Sequence, residues 1–188
     1  MKVSWLIRRA LLYVIFPRIH WYGYVGAPVV WKGTRRITLA KGSRIYPGSR
    51  LEAHGKSGEI VICENVSIAQ NFHCTAVGRL EIGRDTLITA NVCITDIDHS
   101  SSQVCQKPVD RTYEHSKTRI GTNCFIGMGA IIQAGSEIGS NSIVGANSVV
   151  RGNFPSYSMI AGVPAKLVRV FDMKKGEWVR PLIKTKEN

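Results

Sequence analysis

Residues 120–150 read I-G-T-N-C-F-I-G-M-G-A-I-I-Q-A-G-S-E-I-G-S-N-S-I-V-G-A-N-S-V-V, with an aliphatic side chain at every sixth position. The six aliphatic positions are Ile120, Ile126, Ile132, Ile138, Val144 and Val150. The side chains of a β-strand repeat every two residues, so an ordinary strand does not account for a period of six. Hexads of this kind are the sequence signature of a parallel β-helix, in which each hexad forms one short side of a coil.

The same frame reappears earlier in the chain and extends the predicted solenoid. Its earlier positions are Ile82, Ile88 and Ile94, then Ile62, Ile68 and Cys74, and more weakly Leu39, Ile45 and Leu51. Sets of three hexads predict coils with three flat sides, and the small residues between the aliphatic ones suit tight corners. Each coil stacks on the next and buries one aliphatic ladder per side. The alternative is an ordinary β-sandwich with regularly spaced turns.

Two segments break this frame, and the longer one is the candidate for function. Residues 53–58, A-H-G-K-S-G, predict a small protruding turn. Residues 95–119 are polar and contain no hexad, although the coils on either side of them stay in register. An irregular insertion of ~20 residues in a regular solenoid is more often functional than accidental, so we expect the chemistry there.

Composition and charge narrow the classes of partner. The 188 residues include 25 Lys and Arg against 13 Asp and Glu, a formal net charge of +12. This surplus favours an acidic partner: nucleic acid, anionic lipid or a phosphorylated small molecule. The five cysteines are odd in number and form no C-x-x-C pair, which indicates neither a disulfide framework nor a zinc ribbon. We therefore expect a reduced, cytoplasmic chain that requires no metal.

The two ends of the chain lie outside the hexad frame. Residues 2–16 predict an amphipathic helix that is too short to span a bilayer and ends before Pro17. The side chains near one face of this helix are Leu6, Ile7, Leu11, Val14 and Ile15. The helix could lie in a membrane interface or pack on the solenoid as a cap. The segment after Phe171 predicts a polar C-terminal helix or tail. The division is residues 1–36 for the helix and cap, 37–170 for the solenoid with its loop at 95–119, and 171–188 for the tail.

Four motifs carry a resemblance to a known family. They are I-G-R-D-T-L-I at 82–88, D-I-D-H at 96–99, G-A-N-S-V-V-R-G at 145–152 and I-A-G-V-P-A-K at 160–166. Over residues 37–170 the chain resembles the left-handed β-helix acyltransferases of the maltose/galactoside O-acetyltransferase type. It is most similar to the sugar O-acetyltransferases that decorate lipopolysaccharide and capsule. The resemblance implies a left-handed parallel β-helix, an acetyl-CoA co-substrate, a sugar hydroxyl as acceptor and a homotrimer with sites between subunits.

The resemblance also assigns roles to residues near the loop. His99 matches the family's general base, and a neutral imidazole is chemically suited to deprotonate a sugar hydroxyl. Asp96, Asp98 or a backbone carbonyl could orient its ring. Asn71 matches the family's asparagine that stabilises the charge of the transition state, and the alternative is a corner asparagine tolerant of positive φ. His115 is interpreted as a solvated loop residue rather than a second base.

The donor side is assigned in the same way. Met128, Ala146, Arg151 and Gly152 match positions that line the pantetheine arm of the cofactor. Lys166 and Arg169 match positions that meet the phosphates of its nucleotide end, where charge-assisted contacts are favourable. The pair Cys124-Phe125 departs from the Val-Trp type of pair common in the family. The cysteines are interpreted as small buried residues.

Several functions stay open at the level of sequence. The leading one is acetylation of a sugar hydroxyl on a surface polysaccharide or its precursor, an acceptor that can be lipid-linked. Alternatives are N-acetylation of an amino sugar and a non-catalytic basic solenoid that binds lipid or nucleic acid. A serine O-acetyltransferase and a zinc-dependent carbonic anhydrase fit less well, because a long helical N-terminal domain and a third histidine ligand are missing. We expect no nucleic-acid binding, and a location in the cytoplasm or peripherally at the inner membrane.

Overall fold

A computed structural model describes residues 3–100, 102 and 104–181 of the chain. Its described part begins with helix α1 (Val3–Ile15), and nearly all the rest is short strands. Two single-turn 3₁₀ helices interrupt them, at Thr34–Arg36 and Pro108–Asp110. No helix in the described ranges is both long enough and apolar enough to cross a bilayer.

The strands form three parallel sheets, one along each side of a solenoid. The first face contains β1 (Tyr24–Val25), β4 (Arg44–Ile45), β7 (Ser67–Ile68), β10 (Leu87–Ile88), β15 (Phe125–Ile126), β18 (Ile143–Val144) and β21 (Ser158–Gly162). The second face contains β2 (Val30–Lys32), β5 (Arg50–Ala53), β8 (His73–Ala76), β11 (Cys93–Thr95), β16 (Ile131–Ile132) and β19 (Val149–Val150). The third face contains β3 (Ile37–Leu39), β6 (Glu59–Ile62), β9 (Arg79–Ile82), β14 (Arg119–Ile120), β17 (Glu137–Ile138) and β20 (Asn153–Phe154).

The hexad residues stack directly on one another from coil to coil. On the first face, Ile88 pairs with Ile126, Ile126 with Val144, and Val144 with Ile160. All four are fully buried. The core is therefore a column of aliphatic side chains inside the three sheets. This confirms the parallel solenoid predicted from the period of six.

The corners between the faces depend on asparagine and aspartate. Seven of these residues take a positive φ close to the left-handed helical region: Asn65, Asn71, Asp85, Asn91, Asn123, Asn141 and Asn147. Their short polar side chains tolerate this conformation and also bond along the corner. The Asn123 amide donates to Oδ1 of Asn141 over 2.8 Å, for example. The corners are thus held by side-chain ladders parallel to the solenoid axis.

The parallel ladders begin before residue 37, where the hexad frame first becomes legible. Strand β1 pairs with β4, and β2 pairs with β5. Ile19 forms an isolated parallel bridge with Leu39 and is fully buried. The first coil thus includes residues whose sequence does not follow the repeat.

Helix α1 covers the open end of this first coil, so it acts as a cap. The face that packs on the solenoid contains Trp5, Arg8, Arg9, Leu12 and Phe16, whereas the apolar residues singled out in the sequence point outward. Arg9 is fully buried among backbone carbonyls. Its Nε donates to His20 O over 2.6 Å, and its second terminal nitrogen donates to Leu39 O, Ala40 O and Ser43 Oγ over 3.0 to 3.2 Å. Burial lowers the pKa of Arg9 to about 10, so it stays charged at neutral pH.

The opposite end corrects one expectation. The segment after Phe171 was expected as a polar helix or tail, but it completes a three-stranded antiparallel extension of the first face. Strand β22 (Ala165–Asp172) pairs with β21, and β23 (Glu177–Val179) pairs with β22. The reason is a cluster of aromatic rings, in which Phe171 stacks on Tyr157 and meets Trp178 edge-on. Cross-strand aromatic pairs of this kind favour strands over a helix.

We predict that Arg9→Met lowers the free energy of unfolding by about 2–4 kcal/mol, because it removes the donor to His20 O and the hydrogen bonds that Arg9 makes to Leu39 O, Ala40 O and Ser43 Oγ. Urea unfolding followed by circular dichroism measures the change. Arg35→Met is the matched control, since Arg35 is exposed in the first coil. It should change the free energy of unfolding by less than about 0.5 kcal/mol. Equal stability of the two variants would contradict the capping role of Arg9.

Candidate functional site

The insertion at residues 95–119 forms a hairpin that rises from the corner between the second and third faces. Its arms are β12 (Ile97–His99) and β13 (Tyr113–His115), which pair antiparallel. In this register Ile97 lies opposite His115, and His99 lies opposite Tyr113. The hairpin therefore holds His99 at a fixed place beside the second face.

A buried carboxylate fixes the base of this hairpin. Asp96 is fully buried, and its two oxygens accept hydrogen bonds of 2.9 Å from the backbone N–H groups of Val77 and Gly78 in the preceding coil. His115 Nε2 lies 3.4 Å from the same carboxylate. A Cβ on Gly78 would lie only 2.2 Å from His115 Nε2, so the ring needs a glycine beneath it. His115 thus anchors the hairpin on the solenoid and is not merely a solvated loop residue.

His99 is exposed, and its ring packs edge-on against Tyr113 with centroids 4.9 Å apart. Neither neighbouring carboxylate bonds to the ring. Asp96 is engaged at the base of the hairpin, and Asp98 accepts a 2.8 Å hydrogen bond from Arg151. Among the described residues, the aromatic contact with Tyr113 restrains the His99 imidazole.

His99 and Tyr113 form the rim of a cavity of about 400 Å³ on the second face. The other lining residues come from three successive coils: Glu52, His54, His73, Thr75, Cys93, Thr95 and Ile97. Most are polar and point outward from the sheet, between the buried hexad positions. In the described part of the chain no group of three or more His, Cys, Asp or Glu side chains is arranged to hold a metal ion. The cavity thus combines apolar surface with several side chains that can hydrogen-bond to hydroxyl groups.

Burial and charged neighbours shift the pKa values of Glu52 and His73 on the floor of the cavity. Burial raises the pKa of the Glu52 carboxyl, but hydrogen bonds from Arg50 over 2.9 Å and His54 over 3.3 Å outweigh burial, and the net pKa is lowered. Burial lowers the pKa of His73, the positive charge of Arg50 lowers it further, and the charge of Glu52 opposes this. His73 Nε2 lies 2.9 Å from Thr75 Oγ1. The floor therefore combines an ionised Glu52 with a His73 that favours its neutral form.

The structure places Asn71 outside this cavity. It has φ 58° at the corner before β8, and its amide donates to Asn91 Oδ1 over 3.1 Å. This geometry favours the corner role that the sequence analysis kept as an alternative. His73, two residues further on, lines the cavity instead, although no motif in the sequence marks it as a site residue. The register was the available signal, since Arg50, His73 and Cys93 occupy one column on successive coils beside the insertion.

Five of the six residues assigned to the donor lie at two edges of the second face, whereas Arg169 pairs with Met159 on the extension of the first face. Met128 and Ala146 lie at the corner with the first face, where Asn147 N–H bonds to Met128 O over 2.8 Å. Lys166 continues this corner, because it pairs with Ala161 across β21 and β22. Lys166 and Arg169 are both exposed, and within residues 3–100, 102 and 104–181 neither pairs with an acid.

Arg151 and Gly152 lie at the other corner, toward the third face. Arg151 is held by Asp98 of the hairpin, and Gly152 has φ 110° with open space where a Cβ would lie. The candidate donor residues therefore flank the second face, and one of them touches the segment that carries His99.

Cys124 is a packing residue here. Its side chain is buried, and its Sγ lies 3.3 Å from Gly139 O. Burial raises the pKa of the Cys124 thiol, which keeps it protonated and unreactive at neutral pH.

Residues 117–152 match the family model described as "Bacterial transferase hexapeptide (six repeats)". The chain is also 38% identical, over 138 residues, to a protein of Escherichia coli (strain K12). That relative is named "Putative lipopolysaccharide biosynthesis O-acetyl transferase WbbJ", and the match covers 70% of each chain.

Solved structures share the fold at lower identity. A maltose O-acetyltransferase from Clostridium difficile 630 is 19% identical with a TM-score of 0.63, over 92% of this chain and 79% of its own. A galactoside acetyltransferase in complex with coenzyme A is 22% identical with a TM-score of 0.61, over 93% and 74%. A mutant of AntD, an N-acyltransferase from Bacillus cereus, in complex with dTDP and coenzyme A, is 18% identical with a TM-score of 0.67, over 82% and 85%. At these identities the likeness concerns the fold alone.

We predict that His73 titrates below the ordinary histidine pKa of about 6.5, because burial and Arg50 disfavour its imidazolium. Its contribution to stability is then complete above about pH 6.5 and is lost as the pH falls below that value, where the unfolded chain binds the extra proton. Histidine NMR across pH 4–8 measures this pKa.

Two variants fix the sign of the His73 shift. Glu52→Gln should lower the His73 pKa further, whereas Arg50→Gln should raise it. A His73 pKa at or above the ordinary value in the wild-type chain would contradict the proposed electrostatics of the cavity floor.

Proposed function

The chain belongs to the hexapeptide-repeat bacterial transferases, and we propose that it transfers an acetyl group from acetyl-CoA to a sugar hydroxyl of a surface polysaccharide or its precursor. The observation that carries this proposal is the position of His99 on the rim of a cavity of about 400 Å³ that contains several hydrogen-bonding side chains. The name of its relative from Escherichia coli supports the same reaction class. A cytoplasmic location accords with five free cysteines.

The proposed chemistry needs a base and a polar acceptor pocket. Acetyl-CoA supplies an activated thioester carbonyl when bound. A sugar hydroxyl is a weak nucleophile at neutral pH, and His99 takes its proton as the oxygen attacks the thioester carbon. When the C–S bond breaks, the imidazolium returns this proton to the departing thiolate, so that coenzyme A leaves as the thiol. Tyr113 holds the imidazole edge, while Glu52, Thr75 and Thr95 offer hydrogen-bond partners for the remaining hydroxyls of the sugar.

The donor residues fit a phosphorylated co-substrate. Lys166 and Arg169 are exposed cations without acid partners in the described chain, which leaves them available for phosphate oxygens. Met128 is half exposed at the corner, where it can pack against an extended arm. Gly152 leaves open space at the opposite corner. We assign Met128, Ala146, Arg151 and Gly152 to the pantetheine arm and the two cations to the nucleotide end.

A homotrimer completes the proposed site. The solenoid is convex, and the cavity beside His99 is open on the side that faces away from the second sheet, whereas ligand pockets are usually enclosed. A neighbouring subunit in a closed threefold assembly would supply the missing wall. Light scattering of the purified chain measures this stoichiometry.

Transfer is tested directly with labelled acetyl-CoA and a panel of glycans and nucleotide sugars, with products read by mass spectrometry. An acetyl ester on oxygen is released by mild base, whereas an acetamide on nitrogen is not. Base-stable products only, on amino sugars only, would replace O-acetylation with N-acetylation. No transfer to any member of the panel, together with no binding of acetyl-CoA, would overturn the proposal.

We predict that His99→Ala lowers kcat by about 10²–10⁴-fold with little change in the affinity for acetyl-CoA, because general-base assistance is of that size. Asn71→Gly is the companion variant, since glycine keeps the positive φ of the corner and removes the amide. It should retain kcat within a few-fold if Asn71 is a corner residue, and lose it if the amide stabilises the transition state. Turnover of His99→Ala near that of the wild type would remove His99 from the mechanism.

We predict that Lys166→Ala combined with Arg169→Ala weakens acetyl-CoA binding by about tenfold or more, because two charge-assisted phosphate contacts are lost. Isothermal titration calorimetry measures the dissociation constant. Lys174→Ala combined with Lys175→Ala is the matched control, because these two cations lie in the turn between β22 and β23 and have no assigned role. Equal affinity for the two double variants would place the phosphates elsewhere.

A further inference from the structure

Helix α1 leaves exposed a set of apolar side chains of the kind that an amphipathic helix on a globular domain usually buries. Its face toward the solenoid includes Arg8 and the fully buried Arg9, whose guanidinium groups bond to backbone carbonyls of the first coil. Its outward face is apolar, with side chains that are between 44% and 80% exposed. The outward residues are Val3, Leu6, Ile7, Leu11, Val14 and Ile15. A contiguous apolar face of this kind on a soluble domain marks a docking surface.

Aromatic side chains extend the same surface beyond the helix. Trp21 is 60% exposed and Tyr22 is 52% exposed, and their rings meet edge-on beside α1. Together with Leu6 they line a cavity of about 360 Å³, whose lining also includes Arg44. Tryptophan and tyrosine favour the boundary between water and the hydrocarbon of a bilayer, since one end of each ring is polar.

The charge around this surface is positive. The first 51 residues contain ten Lys or Arg and no Asp or Glu. Three of the arginines, Arg8, Arg9 and Arg36, are bonded to backbone carbonyls. Lys32, Arg35, Lys41 and Arg44 are exposed in the first two coils and make no ion pair with an acid in the described chain. This end of the solenoid thus presents an apolar strip within a cationic surround.

We propose that this surface, α1 together with Trp21 and Tyr22, docks on an anionic lipid bilayer with the helix lying in the plane of the interface. The 13 residues of α1 span about 20 Å, and one side of the helix is already occupied by the solenoid, so only the outward face enters the lipid. The cationic surround matches anionic headgroups. It disfavours a second copy of the chain as the occupant, because pairing through this face would bring two positively charged ends together.

The inference does not depend on the proposed acetyl transfer. If both hold, the bilayer positions the transferase at the surface where lipid-linked saccharides are presented, which makes it a peripheral protein of the inner membrane. The His99 cavity spans the second to the fourth coil on the second face, and none of its lining residues belongs to α1 or to the first coil, so soluble acceptors remain accessible when the helix is docked.

The test is flotation of the full chain with vesicles of phosphatidylcholine alone or with about 30% phosphatidylglycerol, because a surface with anionic lipid attracts basic segments. Ile7→Asn combined with Val14→Asn removes two outward apolar side chains without touching the packed face of α1. The matched control is Leu87→Asn combined with Met173→Asn, which replaces two exposed apolar residues outside α1 and outside the insertion at residues 95–119. Circular dichroism melting verifies that all three chains fold alike.

We expect the wild-type chain and the control variant to float with the anionic vesicles and the helix variant to bind at least tenfold more weakly, since it buries less apolar surface. Transfer to a soluble acceptor should be equal in all three, which separates this result from the proposed function. The proposal is overturned if the wild-type chain does not float with anionic vesicles, or if the helix variant binds them as well as the control variant does. It is also overturned if light scattering shows that the helix variant lowers the oligomeric state while vesicle binding is unchanged, since a second copy would then occupy the face.

Discussion

The register between successive coils is the constraint on which this molecule depends. Each short strand has its hydrogen-bond partners in the coils above and below it, and the aliphatic ladders are buried only when those coils stay aligned. A stack of this kind leaves unpaired backbone groups at both ends. The chain closes one end with the guanidinium of Arg9 on the carbonyls of the first coil. It closes the other with an antiparallel hairpin and an aromatic cluster around Phe171.

Much of this architecture could be predicted because the repeat itself encodes it. The period of six at Ile120 to Val150 specifies which side chains are buried, and every one of these positions lies in the core. The ends were harder, since their residues have no equivalent in a neighbouring coil. The sequence of α1 shows one apolar face, and a cap would be expected to pack this face on the solenoid. In the structure the arginine-bearing face packs there, because Arg8 and Arg9 donate hydrogen bonds to backbone carbonyls of the first coil. The spacing of apolar residues along the helix carries no information about these hydrogen bonds.

The candidate site, too, could be predicted from the sequence only in part. D-I-D-H and the irregular loop pointed to His99, and the structure places it on the rim of the cavity on the second face. Asn71 and His73 are only two residues apart, yet one lies in a corner and the other on the cavity floor. That difference depends on which residue leaves the turn and enters β8, a boundary that local sequence defines poorly. The roles of Asp96, Asp98 and His115 follow from contacts between coils, which a one-dimensional pattern does not contain.

The junction between the insertion at residues 95–119 and the solenoid has a consequence for how such proteins diversify. Thr118 Oγ1 donates to Thr95 O over 3.0 Å, so the two ends of the insertion leave and rejoin the solenoid at adjacent points. The coils on either side pair directly, β11 with β16 and β9 with β14, as though nothing intervened. The free-energy cost of a longer or shorter insertion is therefore mainly that of loop closure, which grows only slowly with length. Evolution can exchange this insertion while the stacked scaffold stays unchanged, so the surface that the insertion presents can change independently of the stability of the fold.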